Sequence, residues 1–343
     1  MKEDEENSSF IPPAPLKTAV LFIVFNRLDT AKRVLSAIKR AKPPRIYIAA
    51  DGPRDSRPGE ASHVKAVRDY VLSQIDWGCE IKLLFREKNL GCKMAVSSAI
   101  DWFFQNEEMG IILEDDCLPG LSFFWFCEEL LERYHSNVMV MHIAGGSYVP
   151  SQDNSYSYHF VRTGGIWGWA SWRRAWRLYE LEMESWPRVH AEKQLDDLFR
   201  GEKEMLRFYK GVFKRAYQNI YTWDYQWVYT RIVNKSLNIM PDKNLVVNIG
   251  LGAPTATHTG LDDKRFSAMP LCDVHFPLNH PKDFVIDEKF DRDNFKYITR
   301  ETFSLKVRKI VSNVLLARLG AFLKNNYPYL YINLKRMASA CNK

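Results

Sequence analysis

Short, wholly apolar runs alternate with segments of helical spacing through the first part of the chain. Residues 18–25 (Thr-Ala-Val-Leu-Phe-Ile-Val-Phe) form a continuous apolar run with the length of a strand. The segment that follows, 30–42, carries apolar side chains at helical spacing, namely Ala31, Val34, Leu35 and Ile38. The pattern therefore predicts a strand followed by a helix.

The alternation continues as far as residue 143. It predicts further strands over 45–50, 80–85, 110–113 and 138–143, and helices over 62–74, 92–106 and 123–134. Ser62 is the expected N-cap of the first of these helices. Strands that alternate with helices imply right-handed βαβ units, and wholly apolar strands are typical of a parallel sheet buried on both faces. We therefore predict an α/β fold with a Rossmann-like, mostly parallel sheet flanked by helices.

The rhythm changes after Gly145. Between residues 146 and 260 the chain becomes rich in tryptophan, with Trp167, Trp169, Trp172, Trp176, Trp186, Trp223 and Trp227. We expect this part to be a second functional half built onto the same sheet. The predicted organisation is a flexible leader over 1–17, a first half over 18–145, a second half over 146–298 and a basic C-terminal tail over 299–343.

The net charge of +7 is concentrated at the C-terminal end of the chain. From Thr302 to the last residue there are no Asp or Glu residues but eight basic ones, Lys306, Arg308, Lys309, Arg318, Lys324, Lys335, Arg336 and Lys343. Without these charges the rest of the chain carries about −1. We expect no nucleic-acid partner, because the basic character belongs to a tail and not to a folded groove.

The tail has apolar residues at helical spacing, at Phe303, Val307, Ile310, Val311, Val314 and Leu315. A basic amphipathic helix without acidic residues is typical of an element that binds an anionic membrane surface. Tyrosines beyond it would then lie at the level of the lipid headgroups, at Tyr327, Tyr329 and Tyr331. The alternative is a solvated helix that packs its apolar stripe on the folded domain.

The cysteines and the N-terminal residues bear on the compartment. The six cysteines include no Cys-x-x-Cys pair, and several lie in apolar stretches where a reduced thiol packs as a small hydrophobic side chain. The first residues lack the basic region and apolar run of a signal peptide, and no stretch approaches the roughly 20 apolar residues of a membrane span. We expect a cytoplasmic protein, peripheral on the inner face of the membrane if its tail binds lipid.

Three consecutive carboxylates, Glu114, Asp115 and Asp116, follow the apolar segment 110–113. Burying several like charges without a counter-cation is prohibitive, so these acids must emerge into a cleft. Open α/β sheets bind ligands at the carboxyl ends of their strands, and hard divalent cations prefer carboxylate oxygens. The local pattern predicts a metal-assisted site for a phosphate-bearing ligand, with an acidic surface turn as the alternative.

Polar residues follow the other predicted strands as well. Phe25-Asn26-Arg27 follows the first, Asp51-Gly52 the second and Asn89-Leu90-Gly91 the third. Each signal is weak alone, because Asp-Gly is commonly just a turn and Asn-x-Gly a helix entry. Together they predict one ligand site, because a nucleotide needs contacts from several loops at once.

These motifs resemble those of GT-A-type glycosyltransferases that use a nucleotide-sugar donor, particularly a family-2-like bacterial group. The acidic triplet looks like the Glu-Asp-Asp form of their Asp-x-Asp signature and is distantly similar to that of N-acetylglucosaminyltransferase I. The resemblance covers roughly residues 18–260. It rests on motifs at 25–27, 51–54, 89–92, 112–117, 167–172, 223–227 and 256–258.

The resemblance implies a GT-A fold in which 18–145 binds the nucleotide sugar and 146–298 carries the acceptor site and the catalytic base. It implies that Asp116 binds Mn²⁺ or Mg²⁺ and that Glu114 and Asp115 contact the ribose and the sugar. Further donor contacts are expected from Phe25, Asn26, Arg27, Asp51, Asn89, Gly91 and Lys93. The partners would be a nucleotide-diphosphate sugar, with a UDP-sugar as the first guess, and a cell-surface or lipid-linked glycan of the lipopolysaccharide or capsule kind.

Asp224, within Tyr-Thr-Trp-Asp-Tyr-Gln-Trp at 221–227, is the candidate catalytic base. A lone carboxylate among aromatic residues suits a general base, and the resemblance places the base of inverting members at this position. The alternative is a helix N-cap, since Asp is a favoured cap and an amphipathic helix follows. Both hold if the cap faces the cleft.

His258 aligns with the C-terminal histidine that completes the metal site in many members of the family, with an ordinary loop residue as the alternative. The tryptophan cluster also has two interpretations. Indole faces stack on sugars, so we expect Gly165, Trp167 and Trp169 to line the acceptor cleft. Trp172 and Trp176 are four residues apart, as on one helix face, and we expect them to be buried.

The sequence thus predicts an inverting, metal-dependent glycosyltransferase. A sugar-phosphate nucleotidyltransferase is one alternative, but such enzymes resemble one another in a Gly-rich loop after the first strand, where this chain has Phe25-Asn26-Arg27-Leu28-Asp29. A non-catalytic glycan- or nucleotide-binding protein with the same fold is the other.

Overall fold

The computed structural model describes residues 10–149, 155–219, 221–251, 266 and 269–299. The chain divides into two compact units, Met1–Asn294 and Phe295–Lys343. Within the described ranges no helix is long and apolar enough to cross a membrane. The amphipathic helix predicted for the C-terminal tail lies outside the described residues.

The first unit alternates strands and helices before it becomes more irregular. The strands are β1 (Val20–Val24), β2 (Arg45–Ala50), β3 (Glu80–Phe85), β4 (Met109–Glu114), β5 (Cys117–Pro119), β6 (Val140–Ala144), β7 (Tyr158–Val161), β8 (Trp169–Trp172), β9 (Leu237–Pro241) and β10 (Val246–Asn248). The helices are α1 (Leu28–Ala41), α2 (Glu60–Gln74), α3 (Gly91–Asn106), α4 (Ser122–Arg133), α5 (Arg173–Trp176), α6 (Trp186–Ala191), α7 (Gln194–Leu198), α8 (Lys203–Asn219) and α9 (Asp224–Val233). Residues 288–294 are also helical.

Eight of the strands form one sheet in the order β3-β2-β1-β4-β8-β6-β9-β7. β1 to β4 run parallel, and Val20 lies opposite Ile46 on one side and Ile111 on the other. β8 runs antiparallel to both β4 and β6, and β7 runs antiparallel to β9. The predicted α/β fold with a mostly parallel sheet is confirmed, and β7, β8 and β9 extend that sheet with strands from the second half.

β1 shows why these strands are apolar throughout. Phe22 and Val24 belong to one hydrophobic cluster, shared with α1 and α4, whereas Ala19 and Leu21 belong to another, shared with α3. Successive side chains of a strand point to opposite faces, so a strand with a core on each side has no polar position. α1 buries the residues whose spacing predicted it, Ala31, Val34, Leu35 and Ile38.

A second sheet consists of two short strands. β5 directly follows the acidic triplet, and β10 lies in the second half of the chain. In this antiparallel pair β10 aligns Asn248 with Cys117 of β5. The pair was not predicted, because each strand has three residues and periodicity cannot show over so short a length. It brings the residues after β10 next to Asp116.

Two expectations about local structure are wrong. α2 begins at Glu60 after an N-cap glycine, Gly59, so Ser62 lies inside the first turn, where its hydroxyl donates to the Gly59 carbonyl at 3.1 Å. Trp172 ends β8 and Trp176 ends α5, so they do not share a helix face. Both tryptophans are nevertheless buried, as predicted.

The expected flexible leader is held in place over its described part, residues 10–17. The ring of Phe10 lies 5.5 Å from that of Trp125 on α4, and Leu16 is buried. A carboxylate oxygen of Glu128 accepts the Lys17 and Thr18 amide hydrogens at 2.7 and 2.8 Å. These apolar side chains and backbone bonds give the segment a fixed place against the helix.

Candidate active site at the carboxyl edge of the sheet

The parallel strands carry their carboxyl ends to one edge of the sheet. β8 runs in the opposite direction, so the residues that precede it reach the same edge. This edge therefore gathers most of the residues that the sequence singled out, from 25–27, Asp51, 89–91, 114–116 and 165–167. The predicted meeting of the strand ends is confirmed, while the roles of the individual residues stay predictions.

Cys92, in the first turn of α3, lies among the carboxylates that meet here. Burial, followed by the charges of Glu114, Asp224, Asp51 and Asp116, raises the pKa of its thiol to about 12. Glu114 in turn feels the charge of Asp224. The second half of the chain thus brings its candidate base within electrostatic reach of Glu114 at the end of β4.

Arg27 is the cation that the fold itself supplies to the acidic triplet. Its Nη1 donates to Oδ2 of Asp116 at 2.9 Å, and its Nη2 forms a close ion pair with Asp115. The Phe25 amide also donates to Asp115, at 3.2 Å. Although burial opposes it, the charges of Asp115 and Asp116 raise the pKa of Arg27. The residues after β1 therefore fix the two aspartates after β4.

Arg27 does not balance the whole triplet. Burial, together with the charges of Asp116 and Asp115, raises the pKa of Glu114 to about 8. Burial also raises the pKa of Asp115 to about 6, against the opposing effect of Arg27. Ionisation of all three carboxylates around one guanidinium would leave an excess of negative charge, and a bound cation would favour that ionised state.

The residues after β10 close over Asp116. The Ile249 amide donates to the Asp116 carbonyl at 2.8 Å, and Asn248 Oδ1 accepts the Gly250 amide hydrogen at 2.9 Å. A Cβ atom at Gly250 would lie 2.6 Å from Asp116 Oδ2 and 2.7 Å from Arg27 Nη1. Only a glycine at position 250 leaves room for this ion pair.

Asp51, an expected donor contact, has its oxygens occupied by internal donors. The amides of Leu90, Gly91 and Gly52 and the side chain of Asn89 all donate to its carboxylate, at 2.9 to 3.1 Å. Burial raises the pKa of Asp51, while the backbone hydrogen bonds oppose that rise. Asp51 thus holds the N-terminus of α3, and a nucleotide contact would have to share these oxygens.

Asn26 and Phe25 are placed by Glu60 and Arg54, to which the sequence assigned no role. Glu60, buried at the start of α2, accepts from Asn26 Nδ2 at 2.8 Å and from the Arg54 amide at 2.7 Å. The Arg54 guanidinium pairs with the same carboxylate and lies 5.4 Å from the centre of the Phe25 ring. The presence of Arg54 in the Asp-Gly-Pro-Arg motif at 51–54 was the only sequence signal that could have indicated this contact.

Lys93, another expected donor contact, has a partner within the protein. Its Nζ lies 2.9 Å from both carboxylate oxygens of Glu182, in the segment between α5 and α6. The Lys93 side chain is 15% exposed and Glu182 is 65% exposed. A donor phosphate at Lys93 would compete with this surface carboxylate for the ammonium group.

Asp224 is the first residue of α9. The N-cap position belongs to Trp223, and no side chain forms a cap hydrogen bond at this helix end, so the N-cap alternative is wrong. Among the described residues, Oδ1 of Asp224 is buried and has no hydrogen-bond partner. An unpaired buried oxygen costs free energy, which a hydroxyl donor on a ligand would recover.

Trp169 cannot contact an acceptor as expected. It is 1% exposed, and its ring lies 5.8 Å from that of Trp223 in a nearly parallel stack and 5.9 Å from that of Trp227. It packs against the first turn of α9 through these two rings. Gly165 and the half-buried Trp167 remain at the edge of the sheet, and their acceptor role stays a prediction.

The residues present fit a divalent cation. Within the described ranges no three His, Cys, Asp or Glu side chains converge as ligands, and His258 lies outside those ranges. Mg²⁺ and similar ions, however, commonly take one or two carboxylates and complete their shell with phosphate and water oxygens. Asp116, next to two further carboxylates in the triplet, suits that pattern if the ion shares its oxygens with Arg27.

No protein-family model and no curated protein matches the chain. Several solved structures resemble it at low identity. Mannosyltransferase PcManGT from Pyrobaculum calidifontis, in complex with GDP-Man and Mn²⁺, is 15% identical over 48% of this chain and 48% of that chain, with a TM-score of 0.30. S. aureus TarS 1-349 is 13% identical over 46% and 47%, with a TM-score of 0.30, and HddC from Yersinia pseudotuberculosis is 10% identical over 46% and 77%, with a TM-score of 0.29. At these TM-scores the similarities assign neither an activity nor a ligand to this chain.

Proposed function

We propose that this chain is an inverting, metal-dependent glycosyltransferase that moves one sugar from a nucleotide-diphosphate sugar to a hydroxyl of a glycan. One observation carries the proposal: Asp224, whose buried Oδ1 has no partner among the described residues, lies within electrostatic reach of Glu114, the first residue of the acidic triplet. A proton acceptor beside a cation-binding acidic set is what glycosyl transfer from a phosphate leaving group requires.

In the proposed reaction Asp224 takes the proton of the acceptor hydroxyl while the hydroxyl oxygen attacks the anomeric carbon of the donor sugar. The bond between that carbon and the diphosphate oxygen breaks, and the nucleoside diphosphate leaves with the electron pair. Attack from the face opposite the leaving group inverts the configuration. Trp223 and Trp227 are buried on either side of Asp224 in the chain, so the base sits on an anchored helix end.

Asp116 would hold Mn²⁺ or Mg²⁺, with His258 as a further ligand. The bound ion would neutralise the charge that develops on the leaving diphosphate. Arg27 adds a second positive charge at the same place, and the other donor contacts would come from the residues after β1, β2 and β3. A UDP-sugar is the first donor to test, and a lipid-linked glycan is an acceptor that a membrane-bound tail would favour.

A panel of nucleotide sugars with Mn²⁺ tests the donor site through thermal stabilisation of the full chain. We expect at least one UDP- or GDP-sugar to raise the melting temperature of the wild type and to have little effect on Asp116→Ala. Asp69→Asn is the matched control, because Asp69 is 61% exposed on α2 and pairs only with Lys65 among the described residues. Equal stabilisation of Asp116→Ala would refute the metal assignment, and stabilisation by no donor would refute the proposed function.

Asp224→Asn separates catalysis from binding. It keeps the size of the side chain but cannot take a proton, so donor-induced stabilisation should persist while release of nucleoside diphosphate falls about 10²–10⁴-fold. Undiminished turnover would exclude Asp224 as the base. Pyrophosphate release from a nucleoside triphosphate and a sugar phosphate would instead identify a nucleotidyltransferase.

A further inference from the structure

Two glycine-containing turns meet at the carboxyl edge of the sheet. Gly145-Gly146-Ser147-Tyr148 follows β6, and Gly164-Gly165 precedes β8. The Gly145 amide donates to the Gly168 carbonyl at 2.8 Å and ties the two turns together. Glycine at such a place leaves room for close approach of a ligand or of another part of the chain.

Tyr148 stands between these turns and is held firmly. Its amide donates to Asn294 Oδ1 at 3.0 Å, and Asn294 is itself buried. Its ring lies 5.8 Å from Trp167 and 5.3 Å from Phe266, edge to face in both cases. The preceding amide, of Ser147, donates to Asn244 Oδ1 at 3.1 Å. Backbone and ring therefore have one position.

The hydroxyl of Tyr148 lies against the glycines. A Cβ atom at Gly165 would be 2.6 Å from the Tyr148 oxygen, and one at Gly146 would be 3.5 Å from it. Burial, followed by the charge of Cys117 in β5, raises the pKa of Tyr148, so the phenol stays protonated at neutral pH and can donate a hydrogen bond.

Other buried tyrosines contrast with Tyr148 because their hydroxyls are paired within the protein. The Tyr47 hydroxyl donates to Glu107 at 2.8 Å, that of Tyr179 donates to the Trp223 carbonyl at 3.0 Å, and that of Tyr158 bonds to Tyr134. In the part of the chain that the structure describes, no such partner lies within hydrogen-bond distance of the Tyr148 hydroxyl. A buried ring with an unpaired hydroxyl is the arrangement of a ligand contact.

We propose that Tyr148 is a sugar-contacting residue whose hydroxyl donates to a hydroxyl of the acceptor saccharide, while the apolar face of that sugar lies on Trp167. A saccharide offers both surfaces, C–H faces for an indole and hydroxyls for a phenol. The assignment to the acceptor rests on the proposed function. Saccharide binding itself is a separate property and can be measured without a donor.

Tyr148→Phe tests the contact, because it removes the hydroxyl and keeps the ring. The probes are the methyl glycosides of glucose, galactose, mannose and N-acetylglucosamine. Their binding to the full chain is measured by saturation-transfer NMR. We expect at least one to bind the wild type and to bind Tyr148→Phe about 3- to 10-fold more weakly, the loss of one neutral hydrogen bond. The melting temperature and the donor-induced stabilisation should not change.

Two further variants test whether weaker saccharide binding comes from the Tyr148 hydroxyl itself. Tyr158→Phe removes a hydroxyl that also lies 3.0 Å from His280 Nδ1, so its melting temperature should fall while saccharide binding stays as in the wild type. Gly165→Ala places a methyl group where it pushes the Tyr148 hydroxyl aside. It should weaken saccharide binding as Tyr148→Phe does.

Equal saccharide affinity of the wild type and Tyr148→Phe would overturn the proposal, as would binding of none of the probes to the wild type. Loss of donor affinity with unchanged saccharide affinity would overturn it too, because the hydroxyl would then serve the donor. If saccharide binding depends on Tyr148 but no nucleotide sugar stabilises the chain, the Tyr148 site stands and the glycosyltransferase proposal fails.

Discussion

At the scale of single residues, internal hydrogen bonds distinguish the carboxylates at the sheet edge from one another. The oxygens of Asp51 are occupied by backbone and amide donors of the third loop, whereas Asp224 keeps a buried oxygen without a partner among the described residues. Buried polar atoms without partners destabilise a fold and are retained chiefly where function needs them. Asp51 therefore has a structural role, whereas the buried Oδ1 of Asp224 has no structural partner among the described residues and is the atom that the proposed function uses.

Replacing Asp51 should show its structural weight. Asp51→Ala leaves the amides of Leu90 and Gly91 without their acceptor at the N-terminus of α3, so we expect a loss of about 2–4 kcal/mol in the free energy of unfolding. Asp51→Asn keeps one acceptor oxygen and should lose less. Urea unfolding followed by circular dichroism measures both.

The exposed Asp69→Ala is the control for this series and should change the free energy of unfolding by less than about 0.5 kcal/mol. If Asp51→Ala were as stable as that control, the hydrogen bonds to α3 would carry no net stability. Asp51 would then have to be explained by its ligand alone.

At the scale of elements, segment length decides what the sequence pattern can predict. β2 and β3 have the predicted bounds, because each is a six-residue run that ends beside a clear turn signal. β5 and β10 escaped prediction, since three residues show no period, and Pro119 argued against a strand. Pairing, not local preference, makes these two segments strands.

The candidate site was predictable to the same extent. Parallel strands bring their ends to one edge whatever the side chains do, so the meeting of Asn26, Asp51 and the triplet 114–116 followed from topology. Contacts between segments distant in sequence leave no periodic signal. Three features therefore could be seen only in the structure. They are the hydrogen bond between Glu60 and Asn26, the burial of Trp169 and the lack of a partner for the Tyr148 hydroxyl among the described residues.

The loop after β10 offers a test at this scale. Gly250→Ala puts a methyl group within 2.6 Å of Asp116 Oδ2 and 2.7 Å of Arg27 Nη1, so either the loop or the ion pair must move. We expect a loss of about 1–3 kcal/mol in the free energy of unfolding, the cost of overpacking, and loss of Mn²⁺-dependent donor stabilisation.

A second glycine provides the matched control. Gly211 lies within α8, and a Cβ atom there has only the flexible end of Arg215 nearby, at 3.5 Å. Gly211→Ala should therefore raise the free energy of unfolding by about 0.5–1 kcal/mol, through helix propensity, and leave donor stabilisation unchanged. Normal donor stabilisation in Gly250→Ala would show that the loop does not shape the Asp116 site.

At the scale of the whole molecule, one buried histidine links β6 of the sheet to the loop before β8 and to α9. His142 on β6 donates from Nε2 to the Gly165 carbonyl at 2.7 Å and accepts at Nδ1 from Trp227 Nε1 on α9 at 3.3 Å. This pair of bonds requires the neutral imidazole. Burial, followed by the charge of Arg231, lowers the pKa of His142 well below its usual value of 6.5.

That histidine predicts how stability changes with pH. Below about pH 6.5 the unfolded chain binds a proton at His142 that the folded chain does not bind. The contribution of His142 to the free energy of unfolding should therefore fall as the pH drops from about 7 to 5, by up to about 1.4 kcal/mol per pH unit, whereas Glu114 and Asp115, with raised pKa values in the folded chain, contribute in the opposite direction. Urea unfolding at a series of pH values measures this contribution.

Two variants isolate His142. His142→Gln can still donate and accept a hydrogen bond but does not titrate, so the slope of the free energy of unfolding against pH should decrease. His63→Gln, on the exposed side of α2, should leave that slope unchanged. The same slope in His142→Gln and the wild type would mean that protonation elsewhere governs acid unfolding, and that the link between β6, Gly165 and α9 survives a charged imidazole.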